Sequence, residues 1–330
     1  MIKKNWLIAL VVAGLLMWPL ISGDRYLLHI GITASIYLVL TIGLFLVTGI
    51  TSQLNMGQAA FWAIGAYSYG LATLNFGWTF LPATLFAIMI TVILSAIFGL
   101  PALKVSGIYF AMVTVGLSEI VRIVLLNWRE LSGGGMGLRN IPSPDILGFT
   151  IRTPAQFYIL GVVLAAMCLL ITLWILRSHV GLTMKAVGSN ETVARALGVN
   201  INHFKLLALV VSSSFAALAG AMYAGYYGFL HPDAFTTAQS FSLVQMLVIG
   251  GIQSLPGVVV MTPILTYGLE YLRILGEFQM IAYALLLIFF LIFAPQGVGG
   301  LIEGYLKAAK ESGKSAFGYL RSGKGSGKDD

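Results

Sequence analysis

Ten apolar runs divide this chain, and their length constrains the fold more than any other feature. A helix that crosses the hydrocarbon core of a bilayer needs about 20 predominantly apolar residues. Only 9% of the 330 residues are charged, whereas a soluble domain carries about 25%. The sequence therefore predicts an all-α polytopic membrane protein with about ten transmembrane helices, and it excludes a soluble enzyme, a nucleic-acid-binding domain and a disulfide-stabilised secreted protein. The runs lie at 5–22, 27–49, 57–75, 81–100, 106–126, 155–176, 204–228, 240–254, 256–273 and 277–294.

The charges between the runs predict the orientation of the chain. If Lys3 and Lys4 are cytoplasmic, thirteen of the 19 lysines and arginines lie on the cytoplasmic side and five on the opposite side. The positive-inside rule describes this asymmetry. We therefore expect both termini in the cytoplasm, a lipid-embedded domain over residues 1–300, and a disordered basic cytoplasmic tail at 301–330.

Two of the runs are broken or short. Residues 51–57 interrupt one run with polar residues and glycine, and the run at 240–254 is shorter than the bilayer core requires. Non-helical backbone persists at membrane depth only where protein or a water-filled cavity satisfies it. Asn55 and Gln58 are therefore candidates for a translocation path, although a plain cytoplasmic turn also explains 51–57. The order of the spans allows an inverted repeat of spans 2–5 and 7–10.

Glu119 and Arg122 form the acid–base pair that lies inside a predicted span. Their i,i+3 spacing places them on one face of a helix, and ionised groups in a membrane are costly unless paired or hydrated. They are either a structural pair near the outer end of the helix or a polar lining of the path. The sequence contains no recognisable metal cluster, nucleophile–base arrangement or phosphate-binding loop, so we expect neither an enzyme activity nor a cofactor in this chain.

Small residues recur every four positions along the run at 204–228. Such a stripe lets a neighbouring helix approach closely, since hydrophobicity does not drive helix association in lipid. We therefore predict a helix-packing role for Ala216, Gly220, Ala224 and Gly228.

The predicted cytoplasmic loop at 177–203 has the pattern of a short capped helix over 191–197. Ser189 or Asn190 can cap its start, and Gly198 can end it in a left-handed conformation. Glu191 near the start and Arg195 near the end suit the helix dipole. A helix this short needs something to pack against, so the loop either lies on the bilayer surface or docks a cytoplasmic partner.

Several motifs, taken in order, resemble those of the permease subunits of bacterial branched-chain amino acid ABC importers. The similarity extends over almost the whole chain to about residue 300. The motifs are NMGQAAF at 55–61 with IGAY at 64–67, GIYFA at 107–111, EIVR at 119–122, SGG at 132–134, GL at 137–138, IP at 141–142, ARALGVN at 194–200 and PQG at 295–297.

This resemblance implies a multi-pass subunit in the bacterial inner membrane that forms half of a translocation path. A second, related permease, two cytoplasmic ATPase subunits that bind the ATP, and a periplasmic substrate-binding protein would complete the importer. The segment 189–198 would then be the coupling helix seated in an ATPase groove. The resemblance extends that role to Ser189, Asn190, Glu191, Arg195, Leu197 and Gly198.

Departures from the family pattern leave the substrate open. Gly188 to Asn190 stand where the amino acid branch often has a charged pair, and Gln253 interrupts an expected Gly-Gly-x-Gly-Ser run. A urea, short-amide or sugar importer is the alternative. An ion-coupled secondary transporter is more distant, because Glu119 is the available intramembrane acid and Arg122 already pairs with it.

Overall fold

The computed structural model describes residues 23–272 apart from 104, 106 and 147, and it describes positions 278, 281, 284, 285, 288, 290, 292 and 297–300 of the following stretch. The predicted span at 5–22, both chain termini and the predicted tail at 301–330 lie outside the described residues. The predicted span at 277–294 is described only in part.

Eight long helices follow eight of the predicted apolar runs. They are α1 (Arg25–Leu44), which continues as a π-helix (Phe45–Ile50), α2 (Gln58–Phe76), α3 (Phe80–Ala102), α4 (Ile108–Asn127), α6 (Pro154–Arg177), α9 (Ile201–Tyr227), α10 (Thr237–Gly250) and α11 (Leu255–Leu272). Short elements connect them: α5 (Arg129–Ser132), α7 (His179–Ser189), α8 (Glu191–Ala196), two 3₁₀ turns (Gly134–Met136 and Pro232–Phe235) and an antiparallel pair of two-residue strands, β1 (Asp145–Ile146) and β2 (Phe149–Thr150).

The all-α membrane architecture is thus confirmed. Six of the described helices are long and apolar enough to cross a membrane: Arg25–Ile50, Phe80–Ala102, Ile108–Asn127, Pro154–Arg177, Ile201–Tyr227 and Leu255–Leu272. The helix α10 has only 14 residues, which is about 21 Å at 1.5 Å per residue. The total of about ten spans and the inverted repeat stay predictions.

The helix ends meet in two groups. At one end of the bundle, the hydroxyl group of Tyr26 at the start of α1 donates to Glu270 near the end of α11 (2.9 Å), and Leu138 pairs with Leu230 after α9. At the other end, α7 and α8 pack against the end of the π-helix and the start of α9. We call this second end the α8 end.

The core of the bundle consists of α1, α2 and α9. The α1 span is 89% buried, as expected for a helix that is apolar on all sides. By contrast, α3, α4 and α6 each bury only one face, and the exposed faces carry large apolar side chains such as Leu85, Met112 and Trp174. Lipid or other protein subunits must therefore cover these outer faces.

Candidate functional site

The break between α1 and α2 is an internal, hydrogen-bonded segment. After the π-helix, residues 51–57 are not helical, and Thr51, Gln53 and Asn55 are buried. The hydroxyl group of Thr48 donates to the carbonyl of Gln53 (3.0 Å) and accepts from the backbone amide of Asn55 (3.2 Å). The side chain of Asn55 accepts from the amide of Gly57 (2.9 Å). Side chains thus replace the helical hydrogen bonds that the break removes.

Three neighbouring helices hold the start of α2. The hydroxyl groups of Thr114 on α4 and Ser240 on α10 accept from the backbone amides of Met56 (3.0 Å) and Ala59 (2.9 Å). The hydroxyl group of Ser212 on α9 donates to Gln58 (3.2 Å). Ser240 thus satisfies an amide that the first turn of a helix leaves without a partner, and Thr114 satisfies an amide of the break. Thr114 lies six residues inside α4, so the break reaches about 9 Å into the bundle.

Asn55 and Gln58, two of the residues predicted for the path, are fully buried. The amide nitrogen of Asn55 donates to the side-chain oxygen of Gln58 (3.2 Å), and Gln58 donates in turn to the carbonyl of Leu40 (3.4 Å). In this conformation the two side-chain amides bind each other, and Gln58 also binds the backbone of α1 and Ser212 of α9. Their role in a path stays a prediction.

Glu119 and Arg122 lie on α4 in a separate, half-exposed charged cluster. The Nε atom of Arg122 donates to both carboxylate oxygens of Glu119 (3.1 Å each). Its Nη1 atom donates to Asp233 (2.8 Å), and the backbone amide of Asp233 donates to the ring of His231 (3.2 Å). Arg122 therefore ties α4 to the 3₁₀ turn at Pro232–Phe235. Among the described residues, no hydrogen bond connects this cluster to Asn55 or Gln58.

Asp233 could not be found from the sequence. It lies 111 residues from Arg122, and no local pattern links an acidic residue in a connecting turn to a span so far away. Only the return of the chain after α9 brings the two residues together.

The loop at 177–203 contains the short helix that the sequence predicts. Asn190 caps α8 by accepting from the amide of Val193 (3.1 Å), whereas the hydroxyl group of Ser189 donates back to Lys185 in α7 (2.9 Å). Gly198 has φ +82°, and the amide of the following Val199 donates to the carbonyl of Ala194 (3.1 Å). The capped helix with a left-handed end is confirmed, with Asn190 as the capping residue.

A partly buried ion pair, not predicted from the sequence, fixes α8 to α9. The ammonium group of Lys205, whose side chain is 2% exposed, lies 2.6 Å from Oε1 of Glu191. Ala194 is buried with Val187 and Ile201 on the inner side of α8. On the outer side, Leu197 is 79% exposed. This part of the chain therefore presents a fixed short helix with an apolar residue available for contact.

The small residues of α9 lie against α2. Gly220 faces the backbone of α2: a Cβ atom there would come within 2.5 Å of the Ala66 amide nitrogen and 2.7 Å of the Trp62 carbonyl oxygen. Ala216 and Ala224 are fully buried. Gly228 instead ends α9 with φ +65°, and its carbonyl accepts from the amide of Ile141 (3.1 Å).

Within the part of the chain that the structure describes, no group of His, Cys, Asp or Glu side chains could hold a metal ion. Cys168 is buried inside α6.

Comparisons with known proteins identify the family of this chain. The family described as the permease component of branched-chain amino acid transport systems matches residues 26–294. The high-affinity branched-chain amino acid transport system permease protein LivM of Escherichia coli K12 is 30% identical, with 94% of this chain and 78% of that protein aligned. LivM of Salmonella typhimurium is also 30% identical, over 92% of this chain and 77% of that protein.

A second group of relatives is more distant. The autoinducer 2 import system permease protein LsrC of Enterobacter sp. is 27% identical over 68% of this chain and 63% of that protein. No solved structure matches the chain. The match over residues 26–294 and the identity to LivM along most of both chains show that this protein belongs to the family of branched-chain amino acid transport system permease components.

Proposed function

We propose that this chain is one permease subunit of an ATP-driven importer for branched-chain amino acids. The observation that carries the proposal is the 30% identity to LivM over 94% of the chain, because so long a match includes the core helices, the break and the α8 loop together. A second permease, two cytoplasmic ATPase subunits and a periplasmic binding protein are the partners of this proposal. The α8 end is its cytoplasmic side, in the bacterial inner membrane.

The α8 segment is the proposed contact with an ATPase subunit. It is short, it is held by Asn190 and by the Glu191–Lys205 pair, and it exposes Leu197. A docking helix must be held rigidly on its own subunit when its partner moves, because a loosely held helix would shift without displacing the rest of the subunit. The fixed geometry of α8 supports this role, and Arg195 and Gly198 belong to the same surface.

The exposed face of α4 is the proposed wall of the path or its border with the second permease. Glu119 and Arg122 are partly exposed on this face. Charged side chains inside a span face a bundle interior, a water-filled cavity or other protein far more often than lipid. The charged cluster therefore favours α4 over α3 and α6, whose exposed faces carry large apolar side chains such as Leu85 and Trp174.

A reconstituted complex tests the proposed function. This chain, its candidate permease partner, the ATPase subunits and the binding protein are placed in proteoliposomes, and uptake of labelled leucine is measured with ATP and with ADP. We expect ATP-dependent uptake that excess isoleucine and valine suppress and that excess urea or sugar does not. Omission of this chain is the control. Absence of ATP-dependent leucine uptake by the complete complex, or leucine uptake that excess sugar or urea suppresses and excess isoleucine and valine do not, would contradict the proposed substrate.

A different small cargo is the second candidate. The relatives named as autoinducer 2 import permeases match 68% of the chain at 27% identity, which is a shorter and weaker similarity than the one to LivM. The competition experiment separates the two candidates, because it compares amino acids with sugars in the same vesicles.

A further inference from the structure

We infer that Gly188 and Gly49 are positioning residues of a backbone joint, which transmits motion of α7 and α8 to the α1–α2 break and to the α10–α11 turn. This inference rests on the proposed function. We call these two glycines and their contacts the glycine joint: Gly188 meets the carbonyl group of Ile50, and Gly49 meets the carbonyl group of Ile252.

Three segments converge at the glycine joint. They are the end of the π-helix, the end of α7, and the turn between α10 and α11. Together they line one cleft of about 190 Å³, to which Ser52, Lys185, Ser189 and Gln253 contribute. The α8 segment follows α7 directly, so the segment that the proposed function assigns to ATPase docking begins at this convergence.

The contacts at the joint are backbone against backbone. A Cβ atom on Gly188 would overlap the carbonyl oxygen of Ile50 and come within 3.2 Å of the Thr51 Cα atom. A Cβ atom on Gly49 would overlap the carbonyl oxygen of Ile252 on the facing segment and would also come within 2.9 Å of the Phe45 ring of its own helix. Neither glycine has a positive φ. Close approach of the three segments, and not an unusual backbone conformation, therefore explains why glycine occupies both positions.

Such contacts transmit displacement well because no side chain lies between the segments to change rotamer. Packed interiors switch between discrete arrangements more readily than they deform. The Asn190 cap and the Glu191–Lys205 pair attach α8 to its surroundings, and Gly188 then meets Ile50 and Thr51. From there the hydrogen bonds of Thr48 lead along the break to Asn55 and the start of α2.

The first test is the coupling ratio, measured as ATP hydrolysed per amino acid imported by the reconstituted complex. We expect Gly188→Ala and Gly49→Ala to raise this ratio at least threefold at normal assembly. Gly268→Ala is the matched control, because a Cβ atom at Gly268 in α11 would meet nothing within 4 Å. If the wild-type protein imports leucine and Gly188→Ala hydrolyses no more ATP per imported amino acid than Gly268→Ala does, the glycine joint does not transmit motion. The proposed function is unaffected by that result. If wild-type protein imports no branched-chain amino acid, the proposed function itself is wrong.

The second test keeps both glycines and applies whether or not the alanine variants assemble. Ser52→Cys and Ser189→Cys line the same cleft, and in a Cys168→Ser background a short bifunctional thiol reagent can link them. A crosslink between two segments that move together does not block their motion. The crosslinked double variant should therefore transport leucine at the same rate as each single-cysteine variant treated with the same reagent. Loss of transport only in the crosslinked double variant would show that the segments separate during the cycle, which would overturn the joint.

Discussion

The ammonium group of Lys205 lies 2.6 Å from the carboxylate of Glu191, and this pair joins the first residue of α8 to the first turns of α9. Lys205 is almost fully buried, whereas the Glu191 side chain is 41% exposed. The two partners therefore depend on the pair to different degrees, because only Lys205 loses access to water.

This asymmetry predicts unequal effects of neutralising the two residues. Glu191→Gln leaves a buried cation without its counter-ion and should lower stability by about 1–3 kcal/mol, whereas Lys205→Met leaves a carboxylate that water can solvate and should cost less. The double variant should recover part of the loss of Glu191→Gln, since interacting residues are not additive. Thermal unfolding of the purified complex measures all three. Equal losses of stability in the two single variants would show that Lys205 is not more buried than Glu191.

The left-handed end of α8 predicts a graded response at Gly198. Gly198→Val places a β-branched side chain at φ +82° and should cost about 1–2 kcal/mol locally, while Gly198→Asn should be milder because asparagine tolerates this conformation. We expect transport and ATP hydrolysis stimulated by the binding protein to fall together in Gly198→Val and in Arg195→Glu. Wild-type rates of transport and ATP hydrolysis in both variants would show that the loop has no coupling role and is a surface turn.

Crosslinking identifies what covers α8. Leu197 is strongly exposed and makes a better attachment point than Glu191, whose side chain is bound to Lys205. A cysteine at Leu197 in a Cys168→Ser background should crosslink to an ATPase subunit and not to the binding protein. A cysteine at the exposed Met136, at the opposite end of the bundle, is the control. A crosslink from Leu197→Cys to the binding protein would reverse the proposed orientation.

The charged cluster predicts a specific effect of Asp233. Asp233→Asn weakens the tie between α4 and the 3₁₀ turn, but the pair is partly exposed, so stability should change by less than about 1 kcal/mol. We expect the transport rate to fall severalfold while assembly is unchanged. Glu130→Gln, at the same end of the bundle and exposed, should transport normally. A wild-type transport rate in Asp233→Asn would show that the charged cluster is not needed for transport.

The contact between α9 and α2 predicts opposite effects of two glycine substitutions. Gly220→Ala forces the two backbones apart and should destabilise the chain by about 1–3 kcal/mol, as overpacking does. Gly116→Ala in α4, where a Cβ atom would meet nothing within 4 Å, should be neutral or stabilising by up to about 1 kcal/mol. Thermal unfolding in detergent compares them, and equal stability of the two variants would contradict the packing.

The positions of the described helices could be predicted from the amino-acid sequence. Apolar length and charge distribution are local properties, so the eight described runs, the break at 51–57 and the short α10 could be predicted within a few residues. The cap at Asn190 and the left-handed Gly198 were also predictable, because a helix end depends on residues within one turn of it.

Contacts between residues far apart in the sequence could not be predicted in this way. Arg122 and Asp233, Lys205 and Glu191, and Gly188 and Ile50 come together because helices pack at particular angles and registers, and the side-chain pattern of one helix does not specify its neighbour's register. Burial is decided in the same way. Asn55 and Gln58 are polar in sequence, yet the surrounding helices supply their hydrogen bonds and remove them from water.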